Sequence, residues 1–144
     1  SLQAKDSVEY VKFMEPYLSG KLDSASDQNF MMKRLKKNSE MVSPSYRLRS
    51  AAEAVYKISH DKNVLLKAQE WARIANEWFP HFSNEAVYAG LLFKNDNQQQ
   101  AIQMMDLATK DSFLAQAKEV LQLLKSNVED MKKGKSPAHL WNSK

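Results

Sequence analysis

The chain has 144 residues, of which 43% are hydrophobic and only three are glycine, so its length and composition suit one helical domain with its own core. It contains no cysteine, which excludes a disulfide framework and a thiol nucleophile. The formal net charge is +4, and no apolar run approaches the roughly 18 residues that a membrane-spanning helix needs.

Two helices are predicted in the first part of the chain. Apolar residues at helical spacing predict a helix from Ala4 to Leu18, which Pro16 should bend or end early because proline cannot continue the hydrogen-bond ladder. A second helix is expected to begin at Asp23 or Ser24, either of which can cap free backbone amides, and to reach about Leu35.

A third helix is predicted from Pro44 to about His60. Ser43 can accept from free amides as an N-cap, and Pro44 suits the first helical position because its missing N–H is not needed there. The expected apolar stripe of this helix consists of Tyr46, Leu48, Ala51, Ala52, Val55, Tyr56 and Ile58.

Residues 64–110 contain a candidate internal repeat. Ala68, Ala72 and Ala75 share one stripe of a helix, where small side chains let another helix approach closely. The same spacing returns one period of 33 residues later; the aligned pairs are Ala68 with Ala101, Trp71 with Met104, Ala72 with Met105, Ile74 with Leu107, and Ala75 with Ala108. A helix pair repeated at this period is typical of the tetratricopeptide class.

The second predicted unit adds further matches to that class. Tyr88, Ala89 and Leu92 supply its large, small and large positions, and Pro80 stands where the class often closes a unit. The turn at residues 95–97 reads Asn-Asp-Asn, and both residue types tolerate the left-handed conformation that ends a helix.

Over residues 49–113 the chain therefore resembles tetratricopeptide-like repeats, with units at about 49–81 and 82–113. The resemblance implies an all-α, right-handed stack of antiparallel helical hairpins, an α-solenoid of about seven helices. The departures from the class pattern are Ala52 and Glu85 in place of Trp, Tyr56 in place of a small residue, and Phe113 in place of a proline. An ordinary helical bundle with coincidental alanines is the alternative.

A last long helix is predicted at about 112–133, capped by Asp111 or Ser112 and ended by Gly134. Its expected inward stripe is Leu114, Ala117, Val120, Leu121 and Leu124. Open-ended helical arrays need such a terminal cap. The tail at 134–144 is polar but contains Leu140 and Trp141, and we expect Trp141 to rest on its own domain in preference to serving as a ligand motif.

The resemblance also implies where a partner would bind. It places six residues on the concave face built by the first helix of each unit: Glu53, Lys57, Ala86, Gly90, Phe93 and Lys94. Ala86 and Gly90 would leave room for a guest backbone, and Phe93 would be an apolar anchor. The alternative is that these small residues only allow close helix packing or receive the chain's own Leu140 and Trp141.

Charge is concentrated between Lys33 and Arg49, a segment with a net charge of +5. Such a patch could attract nucleic acid or an acidic partner. No aromatic residue lies within 33–37 and no nucleic-acid module signature is present, so a solvated helix face is the favoured interpretation.

Catalytic signals are sparse. His60, His81 and His139 are far apart, none in a metal-binding spacing, and exposed turns would explain His60 and His81. There is no glycine-rich phosphate loop and no nucleophile elbow. We therefore predict no catalytic residue, no cofactor and no metal for this chain.

The predicted function is a non-catalytic protein–protein interaction or structural scaffold module that binds a protein or peptide. The segments at 10–24, 67–80 and 85–110 are also similar to the helical region that follows the thioredoxin-like domain in some exported bacterial proteins. That likeness implies a periplasmic accessory domain of a larger protein, whose CxxC centre would lie outside this chain. Oligomeric state is left open by the sequence.

Overall fold

The computed structural model describes residues 42–142. Five α-helices and one 3-10 helix lie in this range: α1 at Val42–Ile58, α2 at Lys62–Trp78, α3 at Phe82–Lys94, α4 at Gln98–Ala108, the 3-10 helix at Ser112–Gln116 and α5 at Lys118–Lys132. The helices predicted at 4–18 and from residue 23 or 24 to about 35 lie outside the described residues, as do the four bases at 33–37.

Helix α1 begins two residues before the predicted start, at Val42, so Ser43 and Pro44 both lie in its first turn. Pro44 is tolerated there because the first amides of a helix have no partner within it. Leu48, Ala52 and Tyr56 of the predicted stripe are buried. The prediction that Tyr46 and Ile58 belong to the buried stripe is wrong, because 61% of the surface of Tyr46 and 76% of the surface of Ile58 are exposed.

Helix α2 is capped by Asp61, whose side chain accepts from the backbone N–H of Asn63 at 2.9 Å and of Val64 at 3.3 Å. The alanine stripe is buried, together with apolar residues on the same face. The buried residues of α2 are Leu65, Ala68, Trp71, Ala72, Ile74, Ala75 and Trp78. The helix ends before Pro80, as predicted.

The turn between α3 and α4 takes the predicted left-handed form. Asp96 has a φ of 67°, while the backbone N–H of Asn97 donates to Leu92 O at 2.9 Å. Asn95 fastens this turn to α2, because its Nδ2 donates to Leu65 O at 3.1 Å and to Gln69 Oε1 at 2.8 Å. Helix α4 then buries Ala101, Met105 and Ala108, the counterparts of the α2 alanines. Leu107 differs from its counterpart Ile74, because Ile74 is buried whereas 49% of the surface of Leu107 is exposed.

The last helix is interrupted, in contrast to the continuous helix predicted at 112–133. Asp111 caps the short 3-10 helix, and Ala117, with a φ of −137°, breaks the chain before α5. Gly134 has a φ of 78° and follows the end of α5, as expected for a helix-ending glycine.

The helices pack in chain order. Helix α1 contacts α2 and α3, α2 contacts α3, α3 contacts α4, and α4 contacts α5. Three-residue connections at 59–61, 79–81 and 95–97 make consecutive helices antiparallel neighbours. The described residues are therefore all-helical and contain no strand. Their packing brings α1 and α3, the first helices of the two predicted units, side by side.

Candidate functional site: a groove that holds the C-terminal segment

The described end of the chain, residues 134–142 and called the tail below, lies against α1 and α3. The residues that contact the tail come from three helices and are called the tail groove: Arg49, Glu53 and Tyr56 of α1, Phe82 and Gly90 of α3, and Asn127 of α5. Leu140 is 1% exposed, so the tail contributes to the core. The expectation that Trp141 rests on its own domain is confirmed.

Leu140 fits against Gly90 because this position has no side chain. A β-carbon built on Gly90 would lie 2.6 Å from Leu140 Cδ2 and 3.1 Å from Tyr56 Cε2, both closer than ordinary contacts. Gly90 sits in the middle of α3, where glycine costs about 0.5–1 kcal/mol relative to alanine. The contact with Leu140 supplies a packing reason for glycine at this position.

Side chains of the groove hold the backbone of the tail. The Tyr56 hydroxyl donates to Pro137 O, which leaves Ser136 Oγ as the donor to the Tyr56 hydroxyl oxygen at 2.8 Å. Asn127 Nδ2 donates to His139 O and to Leu140 O, each at 2.9 Å. Backbone carbonyls are common to every peptide, so these bonds do not depend on the side chains of the segment that they hold.

Trp141 lies at the far end of the groove. Its Nε1 donates to Glu53 Oε2 at 3.3 Å, and its ring meets Phe82 edge-on at 6.2 Å between centroids. The Arg49 guanidinium carbon lies 4.5 Å from the Trp141 ring centroid, a cation–π contact. Trp141 is thus held by one acid, one base and one aromatic ring.

Among the six residues predicted to bind a partner, Glu53 and Gly90 contact the tail directly. Ala86 is fully buried, and Phe93 is partly buried against the core. Lys57 forms an ion pair with Glu53, with 3.9 Å between Nζ and Oε1. The contact of Gly90 with Leu140 is the one expected if the small residues receive the chain's own tail.

Lys94 joins the ends of the two first helices. Its Nζ donates to Tyr56 O and lies 4.2 Å from the centroid of the Tyr56 ring. Burial lowers the pKa of Lys94 and raises that of Tyr56. Lys94 therefore fixes the position of Tyr56, which in turn holds Pro137.

Sequence reasoning missed Arg49, Tyr56 and Asn127 as site residues. Arg49 was assigned to a basic patch, yet it is only 4% exposed. Asn127 interrupts the apolar stripe of α5 while being 2% exposed, and a buried asparagine needs hydrogen-bond partners. A polar residue on that stripe was the signal that could have identified it.

A buried carboxyl lies in the first turn of α3. Glu85 is 8% exposed, and burial raises its pKa to about 7, with a further contribution from the negative charge of Asp111. Asp111 itself is held by two backbone amides, since Oδ2 accepts from Phe82 N and Oδ1 from Phe113 N, each at 2.9 Å.

His81 is a capping residue and not the exposed turn residue that the sequence suggested. Its Nδ1 accepts from Ser83 N at 3.2 Å, and its ring is tilted by 34° against the Phe82 ring, with 4.1 Å between the centroids. In the part of the chain that the structure describes, no group of three or more His, Cys, Asp or Glu side chains is arranged to hold a metal ion. No helix within 42–142 has both the length and the apolar character to cross a membrane.

We compared the chain with models of known protein families, with curated proteins and with solved structures, and none of the three comparisons found a match. No family is assigned to the chain on this basis. We therefore base the proposed function on the contacts of the tail groove.

Proposed function

We propose that the chain is a non-catalytic protein-interaction module whose tail groove binds a peptide segment. The observation that carries the proposal is the backbone bonding of the tail, in which Tyr56 and Asn127 donate to three peptide carbonyls. Hydrogen bonds to the peptide backbone give affinity, while side-chain pockets give selectivity. In this structure the chain's own tail occupies the place of that peptide.

The selectivity of the groove follows from its two side-chain positions. Gly90 and Tyr56 accommodate a branched apolar side chain, filled here by Leu140. Arg49, Glu53 and Phe82 accommodate an aromatic residue with an N–H donor, filled here by Trp141. We therefore propose a ligand with a leucine followed by an aromatic residue.

The proposed architecture is a tetratricopeptide-like stack in which α1 with α2 and α3 with α4 are the two units. The side-by-side packing of α1 and α3 and the fully buried small residues of α2 and α4 support it. A role as an accessory domain of a thioredoxin-like bacterial protein, exported to the periplasm, rests on the sequence resemblance. The complete reading frame would test that role, since it should contain an export signal and a CxxC motif.

The groove can be tested with a labelled peptide of residues 135–142. The full chain should carry Leu140→Ser and Trp141→Ser, because these changes weaken the competing tail without altering any groove residue. We expect saturable binding of this peptide by fluorescence anisotropy, and no binding of a peptide with the same two serine substitutions. Equal binding of both peptides, or of neither, would overturn the proposal.

Groove variants provide the second arm of this experiment. Gly90→Leu fills the leucine position, and Phe93→Ala removes the apolar anchor that the sequence suggested. Each should weaken binding of the peptide at least about tenfold, which corresponds to about 1.4 kcal/mol. A loss with Gly90→Leu but not with Phe93→Ala would remove Phe93 from the binding surface.

A nucleic-acid adaptor is the second candidate function, because the segment from Lys33 to Arg49 is strongly basic. Arg49 is buried beneath Trp141 and contributes no exposed charge to this patch, whereas Arg47 is exposed. An adaptor would show binding to nucleic acid that falls steeply with added salt. Binding that is independent of salt, or absent at low salt, would exclude it.

A further inference from the structure

The tail is joined to the helices by a short exposed connection after α5. Residues 133–135, called the hinge below, are exposed, whereas Met131 before them and Pro137 after them are buried. The end of α5 is fixed in place, because Gln98 Nε2 donates to Met131 O at 2.8 Å. The part of the chain that can move as a unit therefore begins at the hinge and includes the groove-binding residues of the tail.

The hinge reverses the direction of the chain through Gly134, whose φ is 78°. The backbone N–H of Lys135 donates to Asp130 O at 2.8 Å, and that of Gly134 donates to Met131 O at 3.0 Å. This pair of bonds is the Schellman pattern, which ends a helix with a left-handed residue. The turn directs the tail back towards the groove of its own chain.

The direction of the tail depends on the backbone conformation of Gly134. A β-carbon built on Gly134 would meet no heavy atom within 4 Å, apart from its chain neighbours, in the part of the chain that the structure describes. Glycine is therefore favoured at this position by its positive φ and not by the space around it. Among the other residues, asparagine and aspartate tolerate a positive φ best.

The tail makes its contacts with residues that are far from it in the sequence. Pro137 bonds with Tyr56 across 81 positions, and Trp141 bonds with Glu53 across 88. The contacts described for the groove are made by residues 136–141, outside the hinge. They would be the same if another molecule supplied these residues, and a second copy of the chain has the identical segment.

We propose that the tail groove also accepts the tail of a second copy of this chain, so that two chains exchange residues 136–142 and form a closed dimer. Exchange preserves the groove contacts that each copy makes as a monomer and changes the two hinges. The dimer has two-fold symmetry and both of its grooves are filled, so association ends at two chains. The proposal rests on the proposed function, because both require a groove that binds a segment arriving from outside.

The hinge of the parent chain favours the monomer. A tail on a short linker has an effective concentration in the millimolar range, so the tail of a second copy has to compete with it. Gly134 adopts the left-handed conformation without steric strain, so opening the hinge relieves nothing. We therefore expect the parent chain to be monomeric at about 10 µM and partly dimeric near about 1 mM.

Gly134→Ala tests the hinge by light scattering after size-exclusion chromatography. Left-handed alanine is disfavoured by roughly fivefold or more, and each dimer relieves two hinges, so the dimerisation constant should rise at least about 25-fold. Gly134→Asn is the matched control, because asparagine tolerates the turn, and it should stay close to the parent. An unchanged equilibrium in Gly134→Ala, or a dimer that persists when Leu140→Ser is added, would overturn the exchange.

Two full-length variants then test the exchange directly. The acceptor carries Leu140→Ser and Trp141→Ser, which weaken its own tail without altering its groove. The donor carries Gly90→Leu, which fills the groove at the position of Leu140 and leaves the tail sequence intact. Each variant alone should be monomeric, and their equimolar mixture should form a complex of one acceptor with one donor. Adding Leu140→Ser to the donor should abolish this complex, and a complex that persists would overturn the exchange.

The labelled peptide of residues 135–142 separates failure of the exchange from failure of the groove. It is titrated into the acceptor under the conditions of the mixing experiment. Peptide binding together with complex formation would support both proposals. Peptide binding without complex formation would overturn the exchange and leave the groove as a binding site for other peptides. Absence of both would overturn the proposed function and the exchange together.

Discussion

A β-carbon placed on Gly90 would lie 2.6 Å from Cδ2 of Leu140, so the packing of the tail depends on the absence of a side chain at position 90. This relationship joins the middle of α3 to the end of the described chain. It also makes the tail removable, because Leu140 belongs to a segment without helix hydrogen bonds of its own, and displacing it breaks few backbone bonds in the helices.

Gly90→Leu should therefore displace the tail while leaving the helices folded. The loss of Leu140 burial, worth about 1.5–3 kcal/mol, is offset in part by the better helix propensity of leucine, so the free energy of unfolding should fall by less than about 2 kcal/mol. Hydrogen exchange of the amides at 138–142 should accelerate at least about tenfold. Ala115→Leu, at an exposed position outside the groove, is the control. Unchanged tail exchange would show that Leu140 adapts in place.

Asn127→Ala should release the tail by a different route. It removes the donor to His139 O and Leu140 O, and we expect the free energy of unfolding to fall by about 1–3 kcal/mol with faster exchange in the tail. Ser126→Ala, at the exposed neighbouring position, should change neither quantity. Faster exchange without loss of stability would mean that these bonds only order the tail.

Trp71→Ala should cost about 3–5 kcal/mol in the free energy of unfolding, because Trp71 is 7% exposed and its removal leaves a cavity between helices. Leu66→Ala on the same helix is the matched control, since 48% of Leu66 is exposed and its loss should cost less than about 1 kcal/mol. Chemical denaturation measures both. Similar values for the two variants would contradict the register of α2.

Glu85→Gln should change the pH dependence of stability. The pKa of Glu85 rises from its ordinary 4.5 to about 7 on folding. The unfolded chain therefore loses the carboxyl proton at a lower pH than the folded chain does. As a result, the free energy of unfolding decreases as the pH rises from about 4.5 to 7. Glutamine has no such titration. Relative to the parent, the variant should gain about 1–3 kcal/mol between pH 4 and pH 8. Glu119→Gln, exposed on α5, is the control, and parallel stability curves for Glu85→Gln and the parent would refute the shift.

Local sequence signals predicted much of the helical framework. Helical spacing of apolar residues placed α1, α2 and the buried face of the alanines, and Pro80, Asp96 and Gly134 marked ends that the structure confirms. These features depend on residues within a few positions of one another, so a single sequence contains the information. The break at Ala117 escaped prediction because alanine is a good helix former, and only the surrounding structure imposes its extended φ.

The tail groove was decided by tertiary structure. The sequence identified Gly90, Leu140 and Trp141 as unusual and left two uses of the small residues open. The small residues receive the tail only if burying Leu140 and hydrogen-bonding three carbonyls outweigh the entropy lost when the tail is ordered. This balance depends on contacts between residues that are far apart in the chain. Arg49 shows the same limit. Its sequence neighbours place it in a basic patch, and only folding brings the rings of Tyr46 and Trp141 over its guanidinium and buries its charge.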